Sequence, residues 1–147
     1  VNKPKQRGTA AETAVVRYLR GHGWPSAERR ALRGRDDAGD ITGTPGIAWE
    51  VKGGDMARNA SDNDIARWMV ETEVERANAR AAVGVLVVQR RGVGAPNAGR
   101  WWAVLPANSP LLRGGPVDHD CPVRLVLADA VTLARHAGFG DSAEVPA

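Results

Sequence analysis

Apolar positions recur along the chain with two different periods. Ala11, Val15, Tyr18 and Leu19 form one stripe at helical spacing, and Thr9 and Glu12 stand at capping-box spacing. A helix is therefore expected from Thr9 to about Gly21, after a flexible basic arm over residues 1–8. Residues 27–33 read as a first strand. Residues 39–42 and 47–52 read as a hairpin closed by Gly-Thr-Pro-Gly, and 53–60 as a loop. Ser61 or Asp62 caps a second helix to about Arg80, with Ile65, Trp68, Met69 and Thr72 as its buried stripe. The continuous apolar run 82–89 reads as a central strand. Residues 100–106 form another strand, 106–122 a long surface loop and 123–127 a possible last strand. Asp129 caps a final helix ending near Gly138, and 141–147 is a frayed tail. The order α-β-β-β-α-β-β-(β)-α predicts a mixed sheet with helices packed on it, in one domain over 1–147.

Composition narrows the setting. No apolar run reaches the ~20 residues of a membrane span, no secretory signal opens the chain, and the single Cys121 suits a reducing compartment. The expected setting is cytoplasmic, with no membrane partner. Net charge is only +3, but residues 1–35 hold 9 Lys and Arg against 2 acids, whereas residues 36–80 hold 5 against 10. A basic quarter beside an acidic middle suggests a polyanion held next to a cation site. The plain alternative is a solvated basic arm.

The acidic middle concentrates chemistry on one strand. In IAWEVK, alternation sends Ile47, Trp49 and Val51 to one face and Ala48, Glu50 and Lys52 to the other. Glu50 and Lys52 then stand roughly 7 Å apart along the strand. Asp40 joins them across a hairpin only if the loop holds an odd number of residues, since a one-residue slip sends it to the Trp49 side. Two converging carboxylates repel unless a cation sits between them, and Mg²⁺ takes such a set together with water and phosphate oxygens. An ammonium beside it can orient a water or stabilise charge growing on phosphorus. The competing reading is an exposed Asp-Glu-Lys salt-bridge cluster.

Asp40, nine intervening residues and Glu50-Val51-Lys52 resemble the PD-(D/E)xK nuclease superfamily. Together with RGTAAE at 7–12, they are most similar to archaeal-type and phage Holliday junction resolvases. The resemblance spans about residues 7–90, with 91–140 as extra strands and a C-terminal helix. It departs at Gly39, where the family usually has proline, and no Ser or Gln matches its accessory positions. The resemblance implies an α/β (α+β) fold with a restriction-endonuclease-like α-β-β-β-α-β core. It also implies that Asp40, Glu50 and the Val51 carbonyl bind Mg²⁺, for which Mn²⁺ substitutes. Lys52 would position the attacking water, and Glu12 would support the metal. The implied activity is Mg²⁺-dependent endonucleolytic hydrolysis of DNA, with four-way junctions the preferred substrate and a homodimer the form that makes paired cuts.

Lys3, Lys5, Arg7, Arg29, Arg30, Arg33 and Arg35 are the candidate phosphate contacts, with Arg90 and Arg91 weaker ones. Asp118-His119-Asp120-Cys121 lacks zinc-ligand spacing. Trp49 and Trp68 belong in the core, and Trp101 and Trp102 point to opposite faces of a strand. Glu71, Glu73 and Glu75 lie on a solvated helix face, although Glu71 reaches the site if its helix packs beside it. Two alternatives remain: a restriction- or repair-type nuclease acting on duplex or flap DNA, and a catalytically idle DNA-binding module.

Overall fold

The computed structural model describes residues 3–31, 38–112 and 121–141, the first six as backbone only. In chain order the elements are α1 (Lys3–Arg20), β1 (Glu28–Arg29), β2 (Ile41–Thr42), β3 (Ile47–Lys52), α2 (Gly54–Arg58), α3 (Asp62–Asn78) and β4 (Val83–Val88). A 3-10 turn (Ala95–Arg100), β5 (Trp102–Pro106), β6 (Pro122–Val126) and α4 (Leu127–His136) complete it. The apolar run expected to be a central strand is β4, buried along its whole length. β3 pairs with it in parallel on one side and β5 antiparallel on the other, and β6 pairs antiparallel with β5. The result is a mixed α/β arrangement, a four-stranded mixed sheet flanked by helices.

Side-chain alternation divides the core between the two sheet faces. Trp49, Val51, Val85, Val87, Ala103 and Leu105 pack with Val15 and Leu19 of α1 and with Ala130 and Val131 of α4. On the other face Leu86, Val88 and Val104 pack with Ala57 of α2 and Trp68 of α3. Trp101 belongs to the first cluster and Trp102 to the edge of the second, as their adjacency requires.

The expected hairpin is corrected. β2 pairs with β1, Arg29 opposite Ile41, in a separate two-stranded ribbon, while β3 pairs with β4. The alternation in IAWEVK does not distinguish these arrangements. A polar residue on the second face of β3 is compatible with burial once α3 covers that face, and Glu50 is only 6% exposed.

Three helix starts also differ. α1 begins at Lys3, so the arm expected over 1–8 is helical from that residue and Thr9 lies inside the helix rather than capping it. Pro4 is compatible with this, since the first turn of a helix needs no N–H there. The expected loop at 53–60 contains α2, whose first N–H, from Gly54, is accepted by Gln89 Oε1 at 3.0 Å. That partner is thirty-five residues away and cannot be read locally. α4 starts at Leu127, which puts Asp129 in the first turn instead of at the cap. Ser61 caps α3 as expected: its Oγ accepts from Asp64 N–H at 3.1 Å, and Asp64 Oδ2 accepts from Ser61 N–H at 2.9 Å. No helix among the described residues is long and apolar enough to cross a membrane.

Candidate active site

β3 lies at the edge of the four-stranded sheet, so its outward peptide groups need partners other than a strand of that sheet. Asp40 supplies two. Its N–H donates to the Trp49 carbonyl at 2.8 Å, and its Oδ2 accepts from Val51 N–H at 2.8 Å. One residue thereby stands in for a stretch of partner strand. Asp40 C=O meanwhile accepts from Arg30 N–H at 2.8 Å, which ties the same residue to the β1 side.

Gly39 makes this grip possible. Its φ is +101°, and a Cβ there would stand 2.9 Å from the Trp49 carbonyl oxygen. Proline, held near −65°, cannot adopt that conformation. Glycine rather than proline at this position thus has a local backbone cause.

The odd-loop question dissolves in this geometry. Asp40 does not reach Glu50 by standing opposite it on one face of a hairpin. Its carboxylate lies along the β3 edge at Val51 N–H, where the Glu50 carboxyl acts on it. Burial raises the Asp40 pKa most, to about 8, and the Glu50 charge adds to it. The Val51 N–H pulls the other way, and the Glu12 charge contributes a smaller upward push. Asp40 is therefore largely protonated at neutral pH unless a cation replaces the proton.

The donor chemistry fits a hard cation. Peptide groups alternate between the two edges of a strand: Lys52 C=O accepts from Gln89 N–H at 2.9 Å on the β4 side, while Val51 N–H points to Asp40. The Val51 carbonyl consequently faces the Asp40 edge as well. Among the described residues no group of three His, Cys, Asp or Glu side chains could hold a metal ion. The available set is two carboxylates and one carbonyl, which leaves several positions to water and substrate, as Mg²⁺ prefers.

Lys52 stands beside this pair. Its Nζ lies 3.4 Å from Glu50 Oε1 and 2.9 Å from Glu71 Oε2, and 5.6 Å from the centre of the Trp68 ring. Burial lowers its pKa, but the Glu71 hydrogen bond and the charges of Glu50 and Glu71 outweigh that, and the net shift is upward. Lys52 is a persistent cation. It suits orientation and charge stabilisation better than proton abstraction.

Glu12 is brought near, with its carboxylate already engaged. Its Oε2 accepts from Arg29 Nε at 3.0 Å, and the same guanidinium donates to Thr9 Oγ1 at 3.3 Å. Arg29, expected as a phosphate contact, is thus partly neutralised inside the molecule. Arg30 is exposed, and Lys3, Lys5 and Arg7 lie on the first turns of α1. Arg33 and Arg35, like residues 118–120 of the Asp-His-Asp-Cys stretch, lie outside the described residues.

Glu71 does reach the site, because α3 packs over β3 and β4. Glu75, expected on the same solvated face, is instead buried, because it continues the Trp68–Thr72 stripe at helical spacing. Gln89 carried no sequence signal: it closes the end of β3 through its N–H and anchors α2 through its side chain, and both contacts come from the parallel pairing. No family model matches the chain, and no curated protein or solved structure matches it either.

Proposed function

We propose that the chain is a Mg²⁺-dependent DNA endonuclease of the PD-(D/E)xK type, with four-way junctions as its preferred substrate. The observation that carries this reading is the meeting of Asp40, Glu50 and Lys52 at β3, with Asp40 Oδ2 on Val51 N–H, Glu50 acting on the Asp40 carboxyl and Lys52 Nζ 3.4 Å from Glu50 Oε1. The element order through β4 supports it, since α1, three strands, helices and a strand parallel to β3 follow the α-β-β-β-α-β succession of the resembled core.

In this reading Asp40, Glu50 and the Val51 carbonyl would hold the cation, and Asp40 would release its proton to solvent. When bound, Mg²⁺ supplies Lewis-acid polarisation of a phosphoryl oxygen and lowers the pKa of a water. Lys52 orients the attacking water and offsets charge growing on the phosphorus oxygens. Glu71 fixes Lys52 from the α3 side. Water adds to phosphorus, one ester P–O bond breaks, and the departing oxygen takes up a proton. Paired cuts across a junction call for a homodimer, with the outer edge of β6 as the candidate contact.

Labelled four-way junction, linear duplex and flap DNA, incubated with and without Mg²⁺ beside Glu50→Gln, test the reading. Symmetric Mg²⁺-dependent nicks confined to the junction are expected, and loss of cleavage in the variant. Cleavage of every DNA makes the protein a general nuclease. Binding without cleavage makes it a DNA-binding module, and an active Glu50→Gln removes the site assignment.

A further inference from the structure

A second cluster of charge occupies the same sheet face as Glu50 and Lys52. The strand registers place Glu50, Leu86, Val104 and Arg124 in one transverse row, and Lys52, Val88 and Trp102 in the next. At about 4.8 Å between strands, Trp102 stands on the order of 10 Å from Lys52. Beside it is a cavity of about 250 Å³, walled by Arg58, Arg90, Arg91, Arg124, Gln89 and Trp102 among others. That volume equals roughly eight waters in the liquid, enough for a hydrated phosphate group.

Three of these four arginines are not engaged in ion pairs among the described residues. Arg90 and Arg124 both stack on Trp102, their guanidinium carbons 4.0 Å and 4.2 Å from the ring centre. Stacking uses the guanidinium face and leaves its in-plane N–H groups for hydrogen bonds. One of those on Arg90 donates to Arg100 C=O at 3.3 Å. Arg91 donates to Asn59 Oδ1, a neutral partner, and only Arg58 has a carboxylate, Asp55 at 2.9 Å. Among the described residues Arg90, Arg91 and Arg124 have no carboxylate within ion-pair distance. Each guanidinium keeps its full positive charge on the ring, so an anion beside Trp102 is attracted by both.

We propose that Arg58, Arg90, Arg91 and Arg124 around Trp102 form a phosphate-binding pocket, which takes a backbone phosphate of the DNA strand a few nucleotides from the bond that is cut. The DNA as occupant rests on the nuclease reading; the anion pocket rests on the arginines. A separation on the order of 10 Å corresponds to about three nucleotides of rise along one strand. α2 follows β3 two residues after Lys52, and Arg58 at its C-terminal end lines the pocket, so one short stretch of chain carries a residue of each site. The pocket would set how far along the strand the substrate sits.

The test uses the whole chain and the double variant Arg90→Gln/Arg124→Gln, with Arg67→Gln on α3 as a charge control. Binding to labelled four-way junction is measured over a salt series without Mg²⁺. The double variant is expected to bind about tenfold more weakly near 0.1 M salt, with a log K against log salt slope shallower by about one, the value for one lost phosphate contact. Unchanged affinity and slope, with the wild type binding DNA, overturn the pocket and leave the nuclease reading intact. In parallel, inorganic phosphate is titrated at constant ionic strength while the Trp102 indole N–H resonance is followed. A shift in the wild type that is absent from the double variant supports the pocket, and no shift overturns it. A wild type that binds no DNA removes the nuclease reading and the DNA occupant together, and the phosphate titration still decides the pocket.

Discussion

Asp40 and Val51 are joined across eleven residues of chain by a carboxylate that accepts a backbone N–H at 2.8 Å. The same carboxylate is the partner of Glu50. Structural and chemical roles therefore fall on one side chain, and conditions that change its charge act on both.

Stability without a divalent ion should fall with rising pH. The Asp40 pKa is raised from an ordinary 3.8 to about 8, so between those values the native chain holds a proton that the unfolded chain releases. Stability is then lost from about pH 4 up to about pH 8, by an amount on the order of a few kcal/mol. Urea unfolding in EDTA at pH 5 and pH 8 measures the loss, and Asp40→Asn should flatten the dependence. An equally steep fall in that variant assigns the proton elsewhere.

Divalent-ion affinity should show the complementary trend. In the proposed site the ion would displace the Asp40 proton, so Mg²⁺ binding followed by calorimetry should tighten as pH rises toward about 8, with proton uptake by the buffer. Asp40→Asn should bind Mg²⁺ weakly at every pH.

Gly39→Pro, the change toward the family pattern, should be damaging here. Neither proline nor alanine fits φ +101°, and a Cβ meets the Trp49 carbonyl. Gly39→Ala is expected to lower the unfolding free energy by about 1–3 kcal/mol and to blunt the Mg²⁺ response, since the grip on β3 shifts with it. Retained stability in Gly39→Pro would mean that the segment before Asp40 has another way to reach β3.

Lys52→Met and Glu71→Gln should separate chemistry from positioning. Lys52→Met is expected to lower single-turnover cleavage by 10² or more while junction binding persists. Glu71→Gln should cost about tenfold in rate with little change in melting temperature, because the Glu71 side chain is 46% exposed. Equal effects on rate and melting temperature would make Glu71 a fold contact only.

Ser61→Ala is the contrasting case. It removes the cap of α3, whose hydroxyl accepts from Asp64 N–H at 3.1 Å, and should cost about 1 kcal/mol in thermal unfolding. The Ser61 hydroxyl bonds Asp64 and not Asp40, Glu50 or Lys52, so cleavage at low temperature should be unaffected.

Much of the architecture was legible because local physics decides it. The stripe Ile65, Trp68, Met69 and Thr72 has helical spacing, the β4 run is apolar throughout, and Trp101 and Trp102 are adjacent on an extended chain. Asp40, Glu50 and Lys52 were legible as residue types at a recognisable spacing. The α2 turn and the start of α1 were not. Gly54 relies on Gln89, thirty-five residues away, and the first turns of α1 precede the capping signal at Thr9.

The sequence alone determined which residues of β3 share a face, since side-chain alternation is a property of an extended chain whatever it pairs with. It also placed two carboxylates and a lysine within reach of one strand. Only the tertiary structure decided how they meet. Pairing in parallel with β4 left one edge of β3 with peptide groups to satisfy, and Asp40 satisfies two of them from beyond Gly39. Backbone hydrogen bonding at that edge, not the parity of a turn, brings Asp40 to Glu50, because each outward peptide group had to find a partner there.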